Sequence, residues 1–123
     1  KNSTNGFDET KLVVITHKEL SAGYQVVQST HSIADFIFEH PTQAKQWKEE
    51  SNSIITLACP NLESLEKISK KLKKKGYFVT EFFEPDIDNQ LTSICVFGTP
   101  IVRKQLSYLP LTLKEKIPVL EEI

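Results

Sequence analysis

Residues 11–16 read Lys-Leu-Val-Val-Ile-Thr, and within five residues the periodicity of the chain switches from strand to helix. No other feature narrows the fold as much. A run this apolar and β-branched is the pattern of a strand buried on both faces. From Ala22 to about His40, Val26, Val27, Thr30, Ile33, Ala34, Ile37 and Phe38 recur at helical spacing. Ser21 is a candidate N-cap. Pro41 marks the end, because the residue before a proline is biased away from helical geometry. A buried strand, a short loop and a helix make the first half of an α/β unit. Helix N-terminal amides then converge beyond the carboxyl end of the strand, where such proteins usually place a site. The spacing predicts that Val26, Ile33 and Ile37 pack on a sheet, with Gln28 and His31 turned towards a cleft.

The alternation continues along the chain. Residues 42–50 read as a second helix, capped by Thr42 and packed through Trp47. Residues 53–59 are a second strand. Asn61 or Ser64 can cap the next helix, whose stripe is Leu62, Leu65, Ile68, Ser69 and Leu72. Gly76 stands where a C′ glycine belongs. Residues 77–83 and 91–98 are further strands, separated by an acidic loop at 84–90. A turn or two of helix follows at 101–107, and 109–113 suits an extended segment. This order implies a four-stranded mixed sheet with helices on both faces, a three-layer α/β/α sandwich. The first two crossovers suit parallel strands, and the short acidic loop suits an antiparallel last strand.

With 123 residues the chain is one domain by length. Residues 1–10 read as a flexible N-terminal tail, 11–113 as the domain and 114–123 as a C-terminal tail. A net charge of −1 excludes a general polyanion binder, so any nucleic-acid contact needs a local patch. Cys59 and Cys95 sit in apolar runs, which suits reduced, buried thiols. No apolar run is long enough to span a bilayer and no secretory signal is visible, so the expected location is the cytoplasm. No Cys/His set has zinc spacing, and His17, His31 and His40 are too scattered to nominate a metal.

Three constellations could carry chemistry. Tyr24, Gln28, His31 and Asp35 lie along one side of the first helix, a row leading to its N-terminus at Gly23. The plainer interpretation is a solvated helix face. His31 is the member that titrates near neutrality. Glu84-Pro85-Asp86-Ile87-Asp88 puts three carboxylates after a strand, either an ordinary acidic turn or a stiffened site that orients water. Lys67, Lys70, Lys71, Lys73, Lys74 and Lys75 crowd the end of the third helix. They either complement the helix dipole or form a phosphate-binding patch.

The run Ala22-Gly23-Tyr24-Gln25-Val26-Val27-Gln28-Ser29-Thr30-His31 resembles the signature of the type 2 peptidyl-tRNA hydrolases. There a Gly-Lys-Gly-Lys loop leads into a helix with Ala-Ala-Gln and Ser/Cys-His-Ala. Gly23, Gln28 and His31 stand on the family's Gly, Gln and His. Trp47 falls near a family Trp, and the likeness continues to Phe97-Gly98-Thr99-Pro100. It covers nearly the whole domain and resembles a divergent bacterial and phage branch. The family's active lysine is replaced by Tyr24, its loop Asp by Glu84 and its loop Thr by Asp88. A later family Thr falls near Ser93.

The resemblance implies hydrolysis of the ester between a peptide and the 3′ end of tRNA, without a metal or organic cofactor. It implies Tyr24, Gln28, His31, Glu84 and Asp88 as catalytic residues, with Glu84 or His31 as base and Gln28 and helix amides on the oxyanion. Gly23, Lys70, Lys71 and Lys74 become the tRNA contacts, and a homodimer is expected. Tyr24 and Glu84 are expected to face one another across the cleft. A silent RNA-binding module, or a hydrolase of another ester or amide, are the other readings.

Overall fold

Strand β1 (Lys11–His17) runs through the middle of the sheet, and every residue from Leu12 to His17 is buried. The computed structural model describes residues 9–114. The sheet order is β2-β1-β4-β3, where β2 is Ile54–Cys59, β3 is Val79–Glu84 and β4 is Gln90–Gly98. β2 lies parallel to β1, while β4 is antiparallel to both β1 and β3. The expected mixed sheet is therefore present. Its parallel strands end together, so His17, Cys59 and Glu84 share one edge with Gln90 at the start of β4.

Helices α1 (Ala22–Glu39) and α2 (Pro41–Glu50) cover one face, where Phe36, Ala44 and Trp47 pack on Leu12, Val14, Cys95 and Phe97. Helices α3 (Leu62–Lys74) and α4 (Pro100–Gln105) cover the other. There Leu65, Leu72, Val102 and Leu106 close over Val13, Ile15, Ile94 and Val96. Burial pushes the Cys59 thiol up to about 11 and that of Cys95 higher still, so both stay neutral near pH 7.

Ser21 caps α1 through its hydroxyl and Asn61 caps α3 through its carbonyl, as the sequence predicts. Gly76 follows α3 at φ 84°, the left-handed geometry of a C′ residue. Thr42 does not cap α2. His40 takes that place without a side-chain bond, and Pro41 opens α2 directly, so one proline both stops α1 and starts α2. Residues 109–113 contribute a single bridge, Leu57 with Leu111, beside β2. The tails read at 1–10 and 114–123 lie outside the described residues except for Glu9, Thr10 and Lys114. Thr10 is tied down, its N–H and hydroxyl both donating to Glu50 Oε1 at 3.0 Å.

The orientation of α1 overturns an expectation. Val26 is 52% exposed, Val27 49% and Phe38 85%, and Ile37 is also exposed. The buried face is Gln25, Gln28, Ser29, Ser32 and Phe36. The helix turns its polar stripe towards the sheet because the sheet there is polar too. Glu84, Thr92 and Ser93 line that part of it, and their hydrogen-bonding groups need partners. Only Ile33 among the expected core residues packs inward, and then only partly.

Candidate functional site

Gln28 is the centre of the buried network, only 1% exposed. Its Nε2 donates to Glu84 Oε1 at 2.8 Å, its Oε1 accepts from Thr92 Oγ1 at 2.5 Å, and its backbone carbonyl accepts from Ser93 Oγ at 2.6 Å. Two neighbouring residues of one strand normally point to opposite faces. Here they point to the same one because β4 carries a bulge. Phe82 pairs with Ser93 and Phe83 with Leu91, leaving Thr92 as the extra residue. The carbonyl of Thr92 accepts from Thr16 Oγ1 at 2.8 Å, so the irregularity leaves it satisfied.

Glu84 ends β3 and is 8% exposed. Its second oxygen accepts from the Asp86 N–H at 3.1 Å, which fixes the turn Pro85–Ile87 against it. That N–H, the Gln28 amide and, more weakly, the charge of His31 hold the carboxyl below the usual glutamate range, against the opposing effect of burial. Glu84 is therefore a fixed anion near neutral pH.

His31 is exposed and stacked on Phe82, with ring centroids 4.5 Å apart and planes 13° from parallel. Thr80, Phe82 and Glu84 alternate onto the α1 face of β3, so this stack stands beside the carboxylate. At the start of α1, the N–H groups of Ala22 and Gly23 have no intrahelical partner. A Cβ on Gly23 would meet nothing within 4 Å, so the fold itself does not require glycine there.

Of the sequence-predicted residues, the structure brings Gln28, Glu84 and His31 together. Tyr24 is half-buried and does not hydrogen-bond to Glu84, whose side-chain partner is Gln28. Gln28, buried and bonded at both ends, positions the carboxylate and is not exposed to meet an oxyanion. Asp35 is half-buried. Asp88 is exposed at φ 57° and stays outside the network, ending the turn in left-handed geometry. The lysines lie on the opposite layer. Lys70, Lys73 and Lys74 line one groove, whereas Lys71 faces Gln105 and Tyr108. Sequence reasoning passed over Thr92, although two hydroxyl residues side by side in an otherwise apolar strand were a visible signal.

A mixed α/β/α sandwich thus carries an anchored carboxylate and an exposed imidazole side by side at one sheet edge. Comparison with known proteins gives the family. The model of the peptidyl-tRNA hydrolase PTH2 family matches residues 10–107, and the chain belongs to that family. The fold is also similar to that of a protein of unknown function from Agrobacterium tumefaciens. That match has a TM-score of 0.62 and 14% identity, over 84% of this chain and 97% of the other. No curated protein matched.

Proposed function

We propose that the chain hydrolyses the ester joining a peptide to the 3′ end of tRNA, acting in the cytoplasm. The observation that carries the reading is the Glu84–Gln28–Thr92 network, held beside His31 within a fold of this family. A carboxylate held below its usual range is a poor general base, since a base works best with a pKa near the working pH. His31 therefore takes the proton as water attacks the ester carbonyl, and Glu84 holds the attacking water. The tRNA hydroxyl leaves with a proton, and the peptide leaves as a carboxylic acid. Tyr24 donates a hydrogen bond where relatives carry a cation, and Asp88 is a peripheral contributor to loop charge. Gly23, Lys70, Lys71 and Lys74 contact tRNA.

We also infer a homodimer through the outward face of α1. Val26, Val27, Ile37 and Phe38 are exposed on it and no residue of that stripe is charged. Two copies can meet there by the same patch without repulsion.

Incubating the protein with a peptidyl-tRNA mimic tests the reading. Cleavage is expected, and His31→Ala or Glu84→Gln should lower it by roughly 10²–10⁴, the worth of a positioned acid or base. Tyr24→Lys should lower activity if Tyr24 belongs to a rebuilt site. The silent RNA-binding module is favoured by one observation, that Tyr24 fills the lysine position without bonding to Glu84. Binding of tRNA without cleavage by wild type or Tyr24→Lys would establish that reading instead.

A further inference from the structure

The edge strand β3 has two faces, and only one has been used above. Glu81 and Phe83 point away from α1 into a groove of about 740 Å³ that also meets Leu91 and, from α3, Glu66, Lys70, Lys73 and Lys74. Phe83 is 46% exposed. An aromatic ring left open on an edge strand gains little from the core.

The charges of the groove sort themselves. Glu81 accepts from Ser69 Oγ at 2.7 Å and from Lys73 Nζ at 2.9 Å, so both its oxygens are engaged and Lys73 cancels it. Glu63 takes Lys67 outside the groove. Among the described residues neither Lys70 nor Lys74 has an ion-pair partner. The groove thus offers two free ammonium groups, one carboxylate at Glu66, and an open ring.

We infer that this groove holds a short single-stranded RNA segment, with a base stacked on Phe83 and its phosphates on Lys70 and Lys74. Stacking platforms bordered by cations are how proteins hold single strands. The volume falls in the range of small-ligand sites. The inference rests on the hydrolase reading for its direction. Phe83 and Glu84 are consecutive, so a strand end leaving Phe83 turns round the sheet edge onto Glu84, His31 and Phe82. The unpaired 3′ end of a tRNA is such a segment.

The test uses the full chain and a fluorescent four-nucleotide RNA, 5′-ACCA, with a blunt RNA hairpin as the duplex control. Wild type should bind the tetranucleotide in preference to the hairpin. Phe83→Ala should weaken that binding roughly 5- to 150-fold, and Phe83→Trp should retain it. Lys70→Gln with Lys74→Gln should reduce the salt slope by roughly 0.7 per lost contact. Thermal melts of each variant establish that it is folded. Equal binding of hairpin and tetranucleotide, or affinity indifferent to Phe83, overturns the groove. If the protein cleaves peptidyl-tRNA while the tetranucleotide ignores Phe83, the groove alone is lost. If Phe83-dependent binding occurs without cleavage by any form, the hydrolase reading is lost and the groove stands.

Discussion

Gln28 on α1 donates to Glu84 on β3 at 2.8 Å, while the same amide accepts from Thr92 on β4. One side chain thus ties a helix to two strands and fixes the direction of the carboxylate. Gln28→Leu keeps much of the volume but takes the short acceptor from the buried Thr92 hydroxyl, leaving it only the Phe82 carbonyl at 3.5 Å, and takes the amide donor from Glu84 Oε1. It should cost about 1–3 kcal/mol, the range for stranding a buried polar group. Chemical denaturation measures this directly, and a change within ±0.5 kcal/mol would show the network to be dispensable.

The lowered pKa of Glu84 has a defined sign in stability. Its folded value lies below its unfolded one, chiefly through the Asp86 N–H and the Gln28 amide. The carboxylate therefore stabilises the fold fully above the unfolded pKa, and that contribution is lost as pH falls through the folded value. Melting temperature followed down the acid limb should drop less steeply for Glu84→Gln than for wild type. Parallel curves would mean that Glu84 is not linked to folding.

Two glycines should behave oppositely. A Cβ at Gly98 would stand 2.5 Å from the Lys11 carbonyl oxygen and 2.7 Å from Val13 Cγ2, so backbone must move. Gly98→Ala should destabilise by about 1–3 kcal/mol. Gly23→Ala meets open space and should be neutral or stabilising by about 0.5 kcal/mol. If substrate approaches the α1 N-terminus, that same variant should still lose activity. Unfolding curves and initial rates on the same samples would separate the two effects.

The exposed stripe of α1 makes a prediction about assembly. If two copies meet through this stripe, Phe38→Glu puts a charge on the contact and should convert the dimer to a monomer with the melting temperature of the isolated fold little changed. Light scattering across a concentration series reads this. A wild-type monomer at every concentration would remove the dimer.

The strands were legible because β-branched runs and helical spacing differ in period, and the caps at Ser21 and Asn61 were legible because their chemistry is local. Gln28, His31 and Glu84 could be named from the sequence, but not the way they meet. Periodicity gives the spacing of a stripe and not which stripe faces inward. The usual rule, apolar inward, fails on α1 because its partner surface carries Glu84, Thr92 and Ser93. Thr92 was visible as one of two adjacent hydroxyl residues in an apolar strand, but its direction was not legible for a related reason. Its inward aim depends on one unpaired residue in β4, and strict alternation would have turned it away from Gln28. The groove at Phe83 combines residues of α3, β3 and β4, and no local pattern joins them.

The bulge at Thr92 also bears on how the chain acquires its site. The bonds of Gln28 span 56 residues to Glu84 and 64 to Thr92, whereas α1 itself is built from local contacts. Closing loops of that length comes late, since the ordering cost precedes any reward from the contact. A growing or partly folded chain can form α1 and display His31, yet it lacks the anchored carboxylate until β4 has threaded between β1 and β3. Competence is thereby coupled to completion of the sheet, and in a refolding experiment hydrogen-exchange protection along the β1–β4 and β3–β4 ladders should arrive after that of the α1 amides, Gln28 included.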